Sequence, residues 1–165
     1  MQKDEILDLV NDKDEVTGSM LRSEVYAKGL LNFRCVSGFI VNKKGELWIP
    51  KRPHNKRIFP DCLDFSVAGH VESKESYWDA LVKEAREELN LDVTKLKVKE
   101  LGKLTAKEGT SVFVMCYEIK YDKTPDYNKH DFVSYEWLTP KELQKRIEKG
   151  EKVKSDLPVV LKHFY

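Results

Sequence analysis

Several features of specialised proteins are scarce or missing in this sequence of 165 residues. It has only three cysteines, Cys35, Cys62 and Cys116, and no CxxC pair, which argues against a zinc knuckle or a thioredoxin-like site. Its apolar runs are far shorter than the roughly 20 residues that cross a bilayer, and the charged N-terminus lacks the apolar segment of a signal peptide. We therefore expect reduced thiols, no membrane partner and a cytoplasmic location.

An excess of charge of either sign is also missing. The chain has 29 Lys and Arg residues against 28 Asp and Glu residues, a net charge of +1. Such a balance gives no general basic surface, so we expect no nucleic-acid partner, and any recognition of phosphate must come from a local cluster. The length predicts one domain over residues 1–165 and leaves open whether it is a monomer or a homodimer.

Hydrophobic periodicity predicts a mixed succession of strands and helices. Strands are predicted at 6–10, 15–20, 33–41, 46–50, 63–68, 96–105, 111–121 and 132–138. Helices are predicted from Ser76 to about residue 90, at 139–150 and at 156–164, with a short helix or turn at 23–31. This order predicts an α/β sandwich in which helices cover both faces of a mixed sheet, preceded by an N-terminal hairpin.

The longest predicted helix carries three glutamates on one side. Glu84, Glu87 and Glu88 stand at positions i, i+3 and i+4, where like charges repel by roughly 0.2–0.5 kcal/mol per pair. A divalent cation would reverse the sign of that interaction. Since Glu84 and Glu88 flank Ala85 on the apolar face, we expect them to point toward the sheet. Taken alone, however, such a helix is more typical of a solvated surface.

The residues before this helix favour a functional site. Gly69 is followed after five residues by Glu75, and seven further residues lead to the run 83–91. This spacing resembles the Nudix box, G-x5-E-x7-R-E-U-x-E-E-x-G-U, in which U is an aliphatic residue. The glycine and glutamates that match the pattern are Gly69, Glu75, Glu84, Glu87 and Glu88.

Two positions depart from the box. The box arginine is Lys83 here, which keeps the positive charge but loses bidentate geometry toward a carboxylate. The box glycine is Asn90, and asparagine is the next-best residue at a left-handed helix end. The first change affects how firmly the glutamates are held, whereas the second should have little effect.

The resemblance implies a fold and an activity. It implies a Nudix-type α/β/α sandwich with an N-terminal extension over 1–31 and the Nudix box at 69–91. It also implies an enzyme that uses Mg²⁺, with Mn²⁺ as an alternative, to cleave a diphosphate linkage by attack of water on phosphorus. The substrate implied is a small molecule: a nucleoside di- or triphosphate, or a related nucleoside diphosphate derivative.

The same resemblance assigns roles within the box. Glu84 and Glu88 would be the principal metal ligands, and Glu87 would assist them directly or through water. The backbone carbonyl of Ala68 or Gly69 would add an oxygen ligand.

Two further roles lie outside the ligand set. Glu75 would pair with Lys83 and orient the helix. Glu87 and Asp131 are the candidates for the base that activates water.

Motifs outside the box look like those of isopentenyl-diphosphate isomerases, from about residue 7 to 139. They are Asp14–Gly18, Leu21–Glu24, Lys28–Leu31, Gly45–Leu47 and Arg52-x3-Lys56-x2-Phe59-Pro60. The isomerase reaction needs a catalytic cysteine where this chain has Ala68, and two histidines of its metal site fall on Tyr26 and Asn32 here. These departures predict a hydrolase, with an isomerase-like enzyme or a non-catalytic nucleotide-binding module as alternatives.

The isomerase-like motifs also indicate phosphate-binding residues. Arg52 and Lys56 match that branch's diphosphate-binding pair, Arg57 adds charge to the same loop, and Arg22 is a further candidate. The alternative interpretation is a solvated basic loop. Aromatic residues in the predicted strands are typical of a core, so none is assigned to the substrate.

Overall fold

The computed structural model describes residues 3–165, so Met1 and Gln2 of the predicted N-terminal extension lie outside the described residues. The strands are β1 (Ile6–Val10), β2 (Val16–Leu21), β3 (Arg34–Val41), β4 (Leu47–Lys51), β5 (Val67–His70), β6 (Lys97–Leu104), β7 (Phe113–Lys120) and β8 (Ser134–Leu138). The α-helices are α1 (Arg22–Ala27), α2 (Tyr77–Leu89), α3 (Pro140–Glu148) and α4 (Leu157–Phe164). A short 3₁₀ helix, Val93–Lys95, follows α2.

The strands form a hairpin and one mixed sheet, as predicted. The hairpin pairs β1 with β2, and the six-stranded sheet has the order β6-β7-β3-β4-β8 with β5 also paired to β3. Only β3 and β7 run parallel; the other described pairs are antiparallel. The central strand β3 meets β5 near its start and β4 at its end, which brings β5 beside the middle of the sheet.

The side chains of β3 alternate between two cores, one on each face of the sheet. Phe39 and Val41 belong to the core that α3 and α4 cover, whereas Val36 and Ile40 belong to the core under α2. Period-two alternation of this kind is what a strand buried on both faces produces. The predicted helices on both faces of the sheet are therefore confirmed.

The predicted strand at 63–68 was wrong in its bounds. Regular pairing begins at Val67 and ends at His70, while Leu63 makes only isolated bridges. Side chains replace the sheet hydrogen bonds in between: Ser66 Oγ accepts from the backbone N–H of Ile40 and donates to the carbonyl of Trp48. Such local side-chain bonding competes with regular strand pairing.

The ends of α2 follow from its sequence. Ser76 Oγ accepts from the backbone N–H of Asp79 at 3.0 Å, and the Asp79 carboxylate accepts from the N–H of Ser76 at 3.1 Å, which makes a capping box. Asn90 ends the helix with φ 49° and ψ 35°, the left-handed conformation expected at this position. Both ends of the glutamate-bearing helix are thus fixed.

The N-terminal hairpin is attached to the sheet through Asp14, whose side chain is 7% exposed. Its carboxylate accepts from Arg34 Nε at 2.7 Å, Lys103 Nζ at 2.7 Å and Tyr77 Oη at 2.8 Å. Burial alone would raise the pKa of Asp14, but these three hydrogen bonds outweigh it and lower the pKa below its ordinary value. The hairpin is therefore held to the sheet by the Asp14 carboxylate, whose negative charge is balanced by Arg34 and Lys103.

The helices of residues 3–165 are all too short or too polar to cross a membrane.

Candidate active site

The glutamates of α2 face β5 as the sequence predicts. Glu84 is only 9% exposed and lies against the backbone of Gly69. A Cβ atom added to Gly69 would lie 2.2 Å from Glu84 Cδ, so the carboxyl group occupies the space that any other side chain would need. The position of the Glu84 carboxyl group therefore requires glycine at residue 69.

Glu88 lies one turn further along α2. Its Oε1 accepts a hydrogen bond from the backbone N–H of Ala68 at 3.3 Å. Burial raises the pKa of Glu84 to about 8 and that of Glu88 well above its ordinary value, and the charge of Glu84 adds to the rise at Glu88. The two carboxylates therefore lack sufficient positive charge around them.

The donors at this place fit a hard divalent cation. Within residues 3–165, no three Asp, Glu, His or Cys side chains come together so as to hold a metal by themselves. Mg²⁺ suits such a partial site, because it takes one or two carboxylates and completes its shell with waters and phosphate oxygens. Glu84 and Glu88 supply the carboxylates. Glu87 is exposed at the edge of the same cavity.

Lys83 is held by two carboxylates. Its Nζ lies 3.0 Å from Glu75, the pairing that the resemblance implies, and 2.8 Å from Glu72, which was not predicted. Burial alone would lower the pKa of Lys83, but the hydrogen bonds to Glu72 and Glu75 raise it. Glu84 is more distant from this ammonium, at 3.9 Å. The charge of Lys83 is thus committed largely to partners other than the candidate metal ligands.

A cavity of about 840 Å³ opens beside Gly69, Glu84 and Glu88. Its walls come from the N-terminal extension, β3, β5, α2, the loop between β7 and β8, and the segment before α4. This volume lies within the roughly 300–1,000 Å³ range of small-molecule sites.

Arg52, a predicted phosphate ligand, lines this cavity but is already engaged. Its Nε donates to the carbonyl of Phe59 at 3.0 Å and one terminal nitrogen donates to the carbonyl of Ile58 at 2.9 Å. The other terminal nitrogen donates to Asp64 at 2.8 Å. The guanidinium is therefore fixed in place, with its remaining N–H groups available.

Of the other three predicted basic residues, only Arg22 lines the cavity, whereas Lys56 and Arg57 lie outside its wall. Lys56 binds Asp131, the candidate base, at 3.0 Å, and Asp131 lines the cavity. Arg22 also lines it, 3.9 Å from Glu5. Arg57 is exposed on its loop and lies outside the cavity wall. The structure therefore brings Asp131 and Arg22 to the site and leaves Arg57 apart.

Two parts of the wall were missed by the sequence reasoning. One is aromatic: Tyr26 Oη lies 2.9 Å from His70 Nε2, and the Tyr26 ring centroid is 5.9 Å from that of Phe33. The other is the segment that contains Lys154 and Asp156. Lys154 and Asp156 have no spacing pattern that links them to the box. Tyr26 stands where the isomerases have a metal-site histidine, which is the signal that could have placed it in the cavity wall.

A cysteine is present in the cavity, but not at the isomerase position. That position is Ala68, whereas Cys35 lines the cavity from β3, opposite His70. Burial raises the pKa of the Cys35 thiol to about 12. The thiol is therefore protonated at neutral pH, and the reactive thiolate form is absent.

Comparison with known proteins agrees with the box. The family model of the NUDIX domain matches residues 31–158. An uncharacterised Nudix hydrolase from a Nostoc species is 52% identical over 166 residues, covering 100% of this chain and 98% of that protein. A crystal structure of a Deinococcus radiodurans protein has a TM-score of 0.92 and 41% identity, covering 98% of this chain and 99% of that one.

A more distant relative represents the isomerase branch. The isopentenyl-diphosphate Delta-isomerase of Kocuria rhizophila is 27% identical over 145 residues, covering 85% of this chain and 81% of that protein.

Proposed function

The chain belongs to the Nudix family and is a Nudix hydrolase, and we propose that it hydrolyses the diphosphate linkage of a nucleoside di- or triphosphate, or of a related derivative, with Mg²⁺. Water would attack phosphorus, and Mn²⁺ is an alternative metal. The observation that carries this proposal is the pair of Glu84, which is buried, and Glu88, which is partly buried: both carboxyl groups have too little positive charge around them and lie beside a cavity of about 840 Å³.

Glu84 and Glu88 would hold the cation, with the backbone carbonyl of Ala68 or Gly69 as a further oxygen and Glu87 as an assisting group. When bound, Mg²⁺ supplies activation of water and neutralisation of the leaving phosphate. The Ala68 N–H keeps Glu88 oriented, since it donates to that carboxylate at 3.3 Å.

Lys83 and Glu75 are proposed as positioning residues. The ammonium of Lys83 ties α2 to Glu75 and Glu72, in the loop that follows β5. This tie fixes the helix relative to Gly69, and so fixes Glu84, which lies against that glycine. Lysine performs this task here although the family pattern has arginine.

Asp131 and Glu87 are the two candidates for the base that accepts the proton of water. Both line the cavity. Lys56 holds Asp131 in place at 3.0 Å, whereas Glu87 is exposed at the cavity edge. We favour Asp131 as the base, because its carboxylate is held in position at the cavity wall by an ion pair with Lys56.

Two parts of the cavity would bind the substrate. Arg52 can contact phosphate oxygens with its remaining N–H groups, and Arg22 lies in the part of the wall that the N-terminal extension forms. Tyr26 is 47% exposed, and its ring packs with Phe33 and His70. A planar base can stack on such an aromatic wall, which supports a nucleoside derivative as substrate.

A test is turnover of a panel of nucleoside di- and triphosphates and isopentenyl diphosphate by the purified protein with Mg²⁺. We expect release of phosphate, pyrophosphate or a nucleoside monophosphate from at least one nucleotide, and loss of that release on addition of a chelator. Formation of dimethylallyl diphosphate would instead support an isomerase. Tight nucleotide binding that a chelator leaves unchanged, without any product, would support a binding module.

A cytoplasmic location is a further proposal. All three cysteines are free thiols, and free thiols are typical of reducing compartments.

A further inference from the structure

The segment between α3 and α4 is fixed against the cavity by its backbone. Val153 forms a parallel bridge with Leu63. On either side of it, Leu63 N–H donates to the carbonyl of Lys152 and Lys154 N–H donates to the carbonyl of Leu63, both at 2.9 Å. The backbone of Lys154 therefore has a defined place beside residues 63–64, and the residue lines the cavity.

The ammonium of Lys154 shares a buried carboxylate with Arg52. Lys154 Nζ lies 3.6 Å from Asp64 Oδ1, and Arg52 donates to Asp64 Oδ2 at 2.8 Å. The Asp64 side chain is only 3% exposed. Two cations thus share one carboxylate at this part of the wall, in a cavity whose other charged side chains are mostly acidic.

Unlike Arg52 and Lys56, Lys154 has a side-chain cation free of hydrogen bonds, a property that it shares in the cavity wall with Arg22, which lies 3.9 Å from Glu5. The distance of 3.6 Å to Asp64 is too long for one, and the Lys154 side chain is 28% exposed. Arg52 and Lys56, by contrast, donate to fixed protein acceptors. Among the described residues, Lys154 thus presents a held but unsatisfied ammonium to the cavity.

Lys154 lines the same cavity as the candidate metal ligands Glu84 and Glu88. The ammonium therefore borders the space in which the reacting diphosphate would lie. An ammonium has three N–H donors and binds phosphate as a point charge.

We propose that Lys154 binds a phosphate oxygen of the substrate, and that Asp64, itself held by Arg52, is the positioning residue that keeps the Lys154 ammonium beside the cavity. This inference rests on the proposed function, since the cation at Glu84 and Glu88 would bring the diphosphate to this wall. It adds a phosphate contact from outside the Nudix box and outside the basic loop at 52–57.

The experiment compares Lys154→Gln with Lys152→Gln, a matched control in the same segment whose side chain is exposed and outside the cavity wall. Binding of inorganic pyrophosphate in the presence of Mg²⁺ is measured by calorimetry. We expect Kd to rise about 10- to 100-fold in Lys154→Gln and to change less than about twofold in Lys152→Gln. Lys154→Arg should restore most of the binding, because it keeps a cation at the same place.

Thermal unfolding and kinetics separate a binding role from a structural one. All three variants should unfold within a few degrees of the wild type. On any nucleotide that the wild type hydrolyses, KM should rise in Lys154→Gln by a larger factor than kcat falls.

Equal pyrophosphate binding by Lys154→Gln and Lys152→Gln would overturn the inference even where the wild type hydrolyses nucleotides. Equal losses in both variants would overturn it as well, because they would indicate only a general charge effect. A wild type that binds pyrophosphate through Lys154 but hydrolyses no diphosphate would instead contradict the proposed function and leave the phosphate contact supported.

Discussion

Two regions of this molecule bury carboxylates, and they do so in opposite ways. Asp14, with its side chain 7% exposed, is surrounded by donors from Arg34, Lys103 and Tyr77, which together lower its pKa. The Glu84 side chain is buried to a similar degree, at 11% exposed, yet its pKa rises to about 8. Similar burial therefore gives opposite electrostatic outcomes at the N-terminal hairpin and at α2.

The difference separates a structural carboxylate from one that awaits a ligand. Burial of an ionised group is unfavourable unless that group is paired and hydrogen-bonded. The cation nearest to Glu84 is Lys83, but it lies 3.9 Å away and is bonded to Glu72 and Glu75. The fold thus leaves Glu84 and Glu88 undercompensated, which is the state that a bound divalent cation would relieve.

The largest effect is expected from Glu88→Gln. Removal of one carboxylate ligand should lower kcat by about a thousandfold, since the charge stabilisation supplied by a bound metal is worth several kcal/mol. Stability should stay the same or increase without metal, because glutamine removes the cost of burying a carboxyl group that is ionised in the unfolded chain. The measurements are steady-state kinetics with Mg²⁺ and thermal unfolding with a chelator.

Glu148→Gln is the matched control for that variant, because Glu148 is an exposed glutamate at the end of α3. It should leave kcat and unfolding unchanged. Full activity in Glu88→Gln would contradict the assignment of Glu88 as a metal ligand.

The opposite pattern is expected from Asp14→Asn. The change leaves Arg34 and Lys103 without their shared anion, so the free energy of unfolding should fall by about 2–3 kcal/mol. Turnover below the unfolding temperature should change far less than in Glu88→Gln. Chemical denaturation measures the first effect, and Asp12→Asn, at an exposed position of the same turn, is the control. If Asp14→Asn and Asp12→Asn had the same free energy of unfolding, Asp14 would not be the stabilising carboxylate that distinguishes the hairpin from α2.

The sequence predicted most of the fold because its elements carry strong local patterns. The alternation in β3, the capping box at Ser76 and the left-handed end at Asn90 are all short-range features, and each is present. The strand at 63–68 was misplaced because the side-chain hydrogen bonds of Ser66 cannot be read from an apolar pattern.

Cavity residues were predicted where they share the stretch of the box, or where the family resemblance points to them, as for Arg22, Arg52 and Asp131. Gly69, Glu84 and Glu88 have a fixed spacing, so the contact between β5 and α2 follows from it. Tyr26 and Lys154 reach the same cavity through hairpin docking and a single bridge to Leu63. Those contacts depend on tertiary packing, for which the sequence has no periodic signal.

Gly69→Ala is expected to have an intermediate effect. The new Cβ would lie 2.2 Å from Glu84 Cδ, so the flexible carboxyl end of Glu84 must move. Mg²⁺ affinity, measured by calorimetry, should fall about tenfold or more, as for a lost orienting contact. Gly18→Ala is the control, because its Cβ would meet no atom within 4 Å. Unchanged Mg²⁺ affinity in Gly69→Ala would show that Glu84 is not held as a ligand.

The smallest effect is a pH dependence, and it has opposite signs in the two regions. Because the pKa of Glu84 is raised from 4.5 to about 8, the folded state keeps a proton that the unfolded state has lost, so metal-free stability should fall as pH rises from about 5 to 8. Asp14, with a lowered pKa, contributes stability above its ordinary value of 3.8, and this contribution is lost as pH falls through the lowered pKa.

Mg²⁺ binding should respond to the same titration. Metal must displace the proton of Glu84, so Mg²⁺ affinity should increase by up to about tenfold between pH 7 and 9. Calorimetry across this range measures the increase, and Glu84→Gln should weaken both this trend and the metal-free decline in stability, of which the contribution of Glu88 remains. Asp14→Asn should keep both, since its carboxylate is already compensated by Arg34 and Lys103. If Mg²⁺ affinity and metal-free stability depended on pH in the same way in Glu84→Gln and Asp14→Asn, the undercompensated carboxyl group would not lie on α2.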